Sequence, residues 1–393
     1  MMKEVVIVGA TRTAIGKFGG SLADVHPAEL GAIVIKEALN RARIDPAIVD
    51  EVIVGCVLQA GLGMNIARQA SIRAGLPIEK PAMTLNTVCG SSLKAVNLAA
   101  LMIKAQEADV IVVAGVENMS NAPYLLPKAR FGYRMNNGIT VDSMVNDGLW
   151  EIFNNYHMGV TAENIAEQFN VTKQMQDEFA ALSQQKCENA QKQGKFNEEI
   201  VSVFIKQKKE SLEFKQDEYP RSGVTFESIN KLPPAFKIGG TVTAANSSGI
   251  NDGAAAMIVM SAAKANELNV LPMARFIEGA TSGVEPALMG LGPISSTHKA
   301  LTKARLAIKD LDLYEVNEAF AVQSIAVMNS LDLDPTKLNV NGGAIALGHP
   351  IGASGCRILV TLLHEMKKRN SNYGLASLCV GGGMGVSTIV QGM

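Results

Sequence analysis

Several things are scarce in this sequence, and each scarcity removes a class of function. Acidic and basic side chains nearly cancel, 37 against 36, and no stretch gathers Lys and Arg into the footprint that a phosphate backbone requires. Nucleic acid is therefore not an expected partner. No segment reaches the roughly 18 uninterrupted apolar residues of a membrane span. The N-terminus passes from Met1-Met2-Lys3-Glu4 straight into Val5-Val6-Ile7-Val8, without the apolar region and small-residue cleavage site of a secretory signal. The expectation is a cytoplasmic protein with no membrane partner.

Cysteine is equally sparse. Cys56, Cys89, Cys187, Cys356 and Cys379 are odd in number and widely dispersed, without the paired spacings of a zinc site or a disulfide framework, so reduced thiols are expected. His26, His157, His298, His349 and His364 are scattered too, and no acidic cluster accompanies them, so no metal is expected. There is no Gly-x-x-x-x-Gly-Lys phosphate loop. Gly239-Gly240 and Gly381 to Gly383 lack the strand-helix setting of a dinucleotide fingerprint. No cofactor is expected beyond what the substrates themselves bring.

What the chain does have is apolar mass and a repeat. Hydrophobic residues make up 47% of 393 positions and charged residues 19%, ample for a large core, and a length beyond about 250 to 300 residues favours more than one domain. The run Val5 to Thr11 ends in Gly-Ala-Thr, and so does Arg275 to Thr281, 270 positions later. Arg41-Ala42-Arg43 leads into Val52-Ile53-Val54-Gly55 as Lys303-Ala304-Arg305 leads into Leu313-Tyr314-Glu315-Val316. Leu85-Asn86 echoes Leu338-Asn339, and the apolar run from Asp109 to Gly115 echoes that from Gly374 to Val380. Each half reads strand, helix, strand, helix, strand.

The final strands, Gly253 to Met260 and Gly383 to Val390, are offset by only 130 positions, so the first half must contain a long insertion. The expected division is residues 1–116 with 251–270 as the first half, 117–250 as an inserted lobe, and 271–393 as the second half. Within the lobe, Thr172 should cap a helix running through Phe179, Leu182 and Cys187 until Gly194 stops it. Alternating strands and helices predict α/β halves with buried, mixed sheets, and a site between the two copies.

Four segments could carry chemistry. Cys89 lies in Asn86-Thr87-Val88-Cys89-Gly90-Ser91-Ser92, where a turn passes into a helix whose dipole and free N–H groups would favour a thiolate. A buried structural Cys is the alternative. Cys379 ends an apolar strand before Val380-Gly381-Gly382-Gly383, either as an acid or base beside backbone that can approach a ligand, or as a core residue next to a required turn. His349 closes the glycine-rich Asn341 to Pro350, as a proton acceptor, an oxyanion donor, or a solvent-facing turn residue. Asn317 and Glu318 follow a strand at the end where ligands of α/β sheets gather, with helix capping as the other use of Asn317.

Taken together, Asn86 to Ser92, Asn317-Glu318-Ala319-Phe320, Gly342 to Pro350 and Cys379 to Gly385 resemble the signatures of the thiolase family, in order and across essentially the whole chain. The resemblance implies a thiolase fold of two αβαβα halves and a reversible Claisen condensation of two acetyl-CoA to acetoacetyl-CoA and coenzyme A. By this likeness Cys89 carries the acetyl group, His349 helps take its proton, and Cys379 moves the proton of the second substrate. His349 and a water held by Asn317 would serve the enolate, and the N–H groups of Cys89 and Gly381 the tetrahedral intermediate.

His157-Met158-Gly159 resembles the short-chain, biosynthetic version, with Met158 closing the acyl pocket. Coenzyme A contacts are implied at His157, Met158, Arg221, Phe236, Ala244, Ser248 and Phe320. The resemblance implies a dimer or, more often in the biosynthetic branch, a homotetramer, and Tyr124 to Gly138 is similar to that branch's tetramerisation loop. Ala245 and Cys356 depart from the family, which usually has Gly and Ala there; the first implies an altered backbone near the pantetheine. Rival expectations are a decarboxylating condensing enzyme, which Cys379 argues against, and a catalytically silent acyl-CoA or lipid-binding protein of the same fold.

Overall fold

The strand β1 (Val5–Thr13) reads as an unbroken apolar run because both of its faces are covered, and only Gly9 along it is less than fully buried. The computed structural model describes residues 3–206 and 210–393. In chain order β1 is followed by α1 (Pro27–Ala42), β2 (Glu51–Gly55), α2 (Ile66–Arg73), β3 (Ala82–Leu85), α3 (Ser91–Lys104) and β4 (Val110–Asn118). A lobe then contributes α4 (Met158–Phe169) and α5 (Lys173–Lys192) before β5 (Asn251–Ser261) returns to the sheet. The second half repeats the plan with β6 (Ala274–Gly283), α6 (Gly292–Ala304), β7 (Leu313–Val316), α7 (Ala321–Leu331), α8 (Ser354–Arg369), β8 (Tyr373–Val380) and β9 (Met384–Gly392).

Among the described residues the main strands run in the order β7-β8-β9-β6-β1-β5-β4-β2-β3. The halves mirror one another about the antiparallel pair β1–β6, where Val6 faces Arg275 and Ile7 faces Ala274. The sheet is mixed: β2 lies parallel to β3 and β4, and β7 parallel to β8, while β5 and β9 return antiparallel. The counterpart of β3 shrinks in the second half to a single parallel bridge between Tyr314 and Leu338, the position that echoes Leu85.

The core lies in layers. One cluster packs α1 and α2 onto the first half-sheet, and another packs α6 and α7 onto the second. Between them α3 and α8 share a core with strands of both halves, including Leu93, Val96, Ile111, Leu359, Leu363 and Leu378. This central position explains α8, which is buried from Ser354 to Met366.

Thr172 caps α5 by accepting the Met175 N–H at 3.2 Å, as expected from the sequence. The lobe is locked to β1 through Arg12, fully buried, whose guanidinium donates to Glu199 at 2.6 Å and to both oxygens of Asp217 at 2.7 and 2.9 Å. Elsewhere in the lobe, Phe131 and Met135 are 89% and 84% exposed.

Candidate active site

The segment before α3 is wound into a tight turn. Val88 has a φ of +43°, a region that β-branched residues avoid, and its N–H donates to Asn86 Oδ1 at 2.9 Å. Ser91 Oγ receives the Thr87 N–H at 2.8 Å and donates to the Val88 carbonyl at 2.6 Å, which holds the turn closed. The effect is to lift Cys89 out of the chain's path at the start of α3. There its sulfur receives the N–H of Cys89 itself and that of Gly381, from the turn between β8 and β9. The two halves thus supply one donor each.

The helix end was expected to favour a thiolate, and here the structure corrects the expectation. Burial outweighs the two N–H donors and pushes the thiol up to about 11. Gly90 and Ser91 also spend their N–H groups on the Thr87 and Val88 carbonyls within the turn. The balance favours the neutral thiol at Cys89.

His349 is buried, and the solvent-facing alternative for it falls. Its N–H donates to Asn251 Oδ1 at 2.9 Å, and its Nδ1 lies 2.6 Å from Ser354 Oγ at the head of α8. Burial, then the positive Arg357, push the imidazole down to about 3, so it is neutral at physiological pH, with one ring nitrogen unprotonated. Asn317 places its amide nitrogen 3.5 Å from both ring nitrogens, and its buried Oδ1 has no partner among the described residues. An amide so placed can orient a water or a substrate oxygen. Its neighbour Glu318 is a strut: it accepts from Ser183 Oγ, Asn339 Nδ2 and the Ile345 N–H, and a Cβ on Gly343 would collide with it at 2.2 Å.

Cys379 is buried at the end of β8, where burial and the nearby Cys89 raise its pKa well above that of an ordinary thiol. It packs in a cluster with Met158, Phe320 and Met289. A cavity of about 330 Å³ opens over Cys89, His349 and Gly381, and His157, Met158, Arg221, Phe236, Ala244, Ser248 and Phe320 all line it. Asn317 and Cys379 sit behind its wall.

The walls follow from local sequence. His157 caps α4 by accepting the Gly159 N–H at 3.0 Å and stacks on Phe236 at 4.7 Å, and Phe236 meets Phe320 edge-on at 6.2 Å. Gly159 is needed for that stack, because a Cβ there would reach within 2.1 Å of the Phe236 ring. Met158 comes so near the thiol end that a Cβ on Gly381 would lie 2.9 Å from its Cε. The 243–248 loop is pinned to the second half by Ser248 N–H to the Ala319 carbonyl at 3.0 Å and Ala321 N–H to the Asn246 carbonyl at 2.8 Å.

Ala245 is not in the left-handed region, and its methyl packs against the cluster of Ala180, Ile229 and Ile345, so this departure accommodates a side chain without a special backbone. Cys56, Cys187 and Cys356 are buried away from the cavity lining. Among the lining residues that sequence reasoning passed over are Met119, Leu149, Met289 and Ile351. Ile351, two positions after His349, was the one with a signal.

A thiol with two N–H donors, a neutral buried imidazole beside an amide whose oxygen has no partner among the described residues, and a second thiol meet at the junction of the duplicated halves, an arrangement that suits acyl transfer. The chain belongs to the thiolase family: the model of the thiolase N-terminal domain matches residues 5–263 and that of the thiolase C-terminal domain residues 270–392. It is 59% identical over 391 residues to the acetyl-CoA acetyltransferase of Cupriavidus necator, covering 99% of this chain and 100% of that one.

Among solved structures it is similar to the acetyl-CoA acetyltransferase of Bacillus anthracis, with a TM-score of 0.98 and 42% identity over 100% of this chain and 99% of that one. It is also similar to human mitochondrial 3-ketoacyl-CoA thiolase in complex with CoA, with a TM-score of 0.96 and 41% identity, covering 100% and 98%. Backbone shape therefore does not separate the two kinds of relative.

Proposed function

We propose that this chain is an acetyl-CoA C-acetyltransferase that condenses two acetyl-CoA to acetoacetyl-CoA and coenzyme A, and runs the thiolysis in reverse. The observation that carries the reading is the meeting of Cys89, His349 and Gly381 on one cavity whose acyl end is closed by Met158. The names of the full-length relatives point the same way, and they give no support to a silent binding protein.

In the first half-reaction the neutral His349 takes the thiol proton as Cys89 sulfur attacks the thioester carbonyl, so that thiolate charge need not accumulate beforehand. The tetrahedral oxyanion is met by the N–H groups of Cys89 and Gly381, an effect worth about 2.7 to 4 kcal/mol per donor. Coenzyme A leaves with the proton of Cys379, which becomes the thiolate, and the acetyl group stays on Cys89 while His349 keeps the proton it took. In the second, Cys379 removes a proton from the methyl carbon of another acetyl-CoA. The enolate oxygen faces His349 and a water held by Asn317, and the carbanion attacks the acetyl carbonyl to release Cys89, which takes its proton back from His349. His157, Met158, Arg221, Phe236, Ala244, Ser248 and Phe320 line the path for the coenzyme A arm.

The reading extends to organisation. The first half comprises residues 1–116 with 251–270, the lobe 117–250, and the second half 271–393. The protein requires no cofactor of its own and works in fatty acid and lipid metabolism. Five free cysteines suit the reducing cytoplasm, and no helix among the described residues is long and apolar enough to cross a membrane. The exposed apolar side chains near Phe131 and Met135 suit a homotetramer.

Mass spectrometry after incubation with acetyl-CoA tests the mechanism. Cys89→Ala should lose the acetyl-enzyme, and Cys379→Ser should keep it while losing condensation. Acetyl label on Cys89→Ala would refute the assignment.

A further inference from the structure

Glu117 is a carboxylate that the mechanism does not use, at the end of β4 and fully buried. It receives four donors from two parts of the chain. From the loop after β2 come the Val57 N–H at 3.1 Å, the Leu58 N–H at 3.0 Å and the Cys56 thiol at 3.8 Å. From the second half comes the Gly352 N–H at 2.8 Å. The approach is so close that a Cβ on Gly352 would lie 2.6 Å from the Glu117 Oε2 and 3.0 Å from the Cys56 Cα. The clasped segments form a wall for the nucleophile, because Val57, Leu58, Met119 and Ile351 make one apolar cluster against which Cys89 packs.

We propose that Glu117 is a positioning residue for Cys89: it clasps the 56–58 loop to Gly352 beside the thiol, and its negative charge opposes that of the thiolate. The inference deepens the reading of Cys89 as nucleophile and rests on it. Ionisable groups facing the carboxylate are the Cys56 and Cys89 thiols, and its cross-strand partner on β5 is Gly253. Burial pushes Glu117 up to about 7 against its three N–H donors, so its charge develops in the neutral range, far from the His349 transition at about 3.

The test is the pH dependence of Cys89 alkylation by iodoacetamide, followed on the intact protein by peptide mass spectrometry from pH 6 to 9. In the wild type the rate should climb clearly less than tenfold per pH unit around pH 7 and about tenfold per unit above pH 8. Glu117→Gln should show the tenfold slope throughout and react about threefold faster at pH 8, a gain equal to half a pH unit. Uniform tenfold slopes in both proteins would overturn the proposal. Where Glu117→Gln does not fold, a uniform slope in the wild type does so alone. Acetylation is read separately: wild type that takes no acetyl group on Cys89 refutes the nucleophile, while the alkylation slopes still judge Glu117.

Discussion

Val88 shows what a single residue contributes here. A valine at a φ of +43° costs about 1 to 3 kcal/mol of backbone strain, and the turn it sits in aims the neighbouring Cys89 at the cavity. Met158 bears on a different matter, for it lines the cavity close to Gly381. Replacing it by Ala removes the end wall that approaches Gly381, so longer acyl chains should enter. In Met158→Ala the kcat/KM for thiolysis of an eight-carbon 3-oxoacyl-CoA, relative to the four-carbon one, should rise by about tenfold, a difference near 1.4 kcal/mol. An unchanged ratio in steady-state assays would place the chain-length limit elsewhere in the cavity.

At the scale of elements, α3 and α8 are placed by close backbone approach. A Cβ on Gly55 would lie 2.6 Å from the Ser92 nitrogen, one on Gly355 2.3 Å from the Leu93 nitrogen, and one on Gly352 2.9 Å from the Val116 carbonyl oxygen. Each obstacle is main chain, which cannot swing aside. Gly352→Ala should therefore shift α8 against β4 and cost about 1 to 3 kcal/mol, read as a lower urea midpoint. The cap at Thr172 carries a smaller stake. Thr172→Ala should cost about 1 kcal/mol at the start of α5, seen as a modest fall in Tm with acetylation of Cys89 preserved.

For the whole molecule, the buried ionisable groups set a pH dependence of stability. Burial pushes Glu117 up to about 7 and raises Glu315 too, against the pull of its buried partner Arg357, whereas unfolded chain ionises glutamate near 4.5. Above 4.5 the folded state holds protons that the unfolded state has released, so stability falls as pH rises from about 4.5 through 7. His349 acts in the opposite sense, because burial holds it neutral down to about 3 while unfolded histidine protonates near 6.5. Its penalty is felt at low pH and disappears as pH rises to 6.5. Above about 6.5 the carboxylates set the direction, and toward pH 8.5 the buried thiols, which burial also raises, act in the same sense. Scanning calorimetry should therefore find Tm declining from pH 6.5 to 8.5, and a rising Tm over that interval would mean that these carboxylates are already ionised in the folded state.

Much of this architecture was already legible in the chain. Apolar runs such as Val52 to Gly55 and Leu313 to Val316 marked strands, and the shrinking offsets between copies located an insertion, because strand and helix periods are local properties that burial imposes directly on residue order. The nucleophile loop, the histidine and the second thiol were found as short patterns joined by resemblance, since the chemistry demands those residue types in those surroundings. Glu117 escaped, as a glutamate ending a strand looks like any solvated side chain until four donors from chain-distant segments close around it. The weakly nucleophilic resting state of Cys89 was hidden for the same reason. Helix position is written locally and argues for thiolate, whereas desolvation depends on what the opposite half of the molecule brings, and only the folded chain decides which is larger.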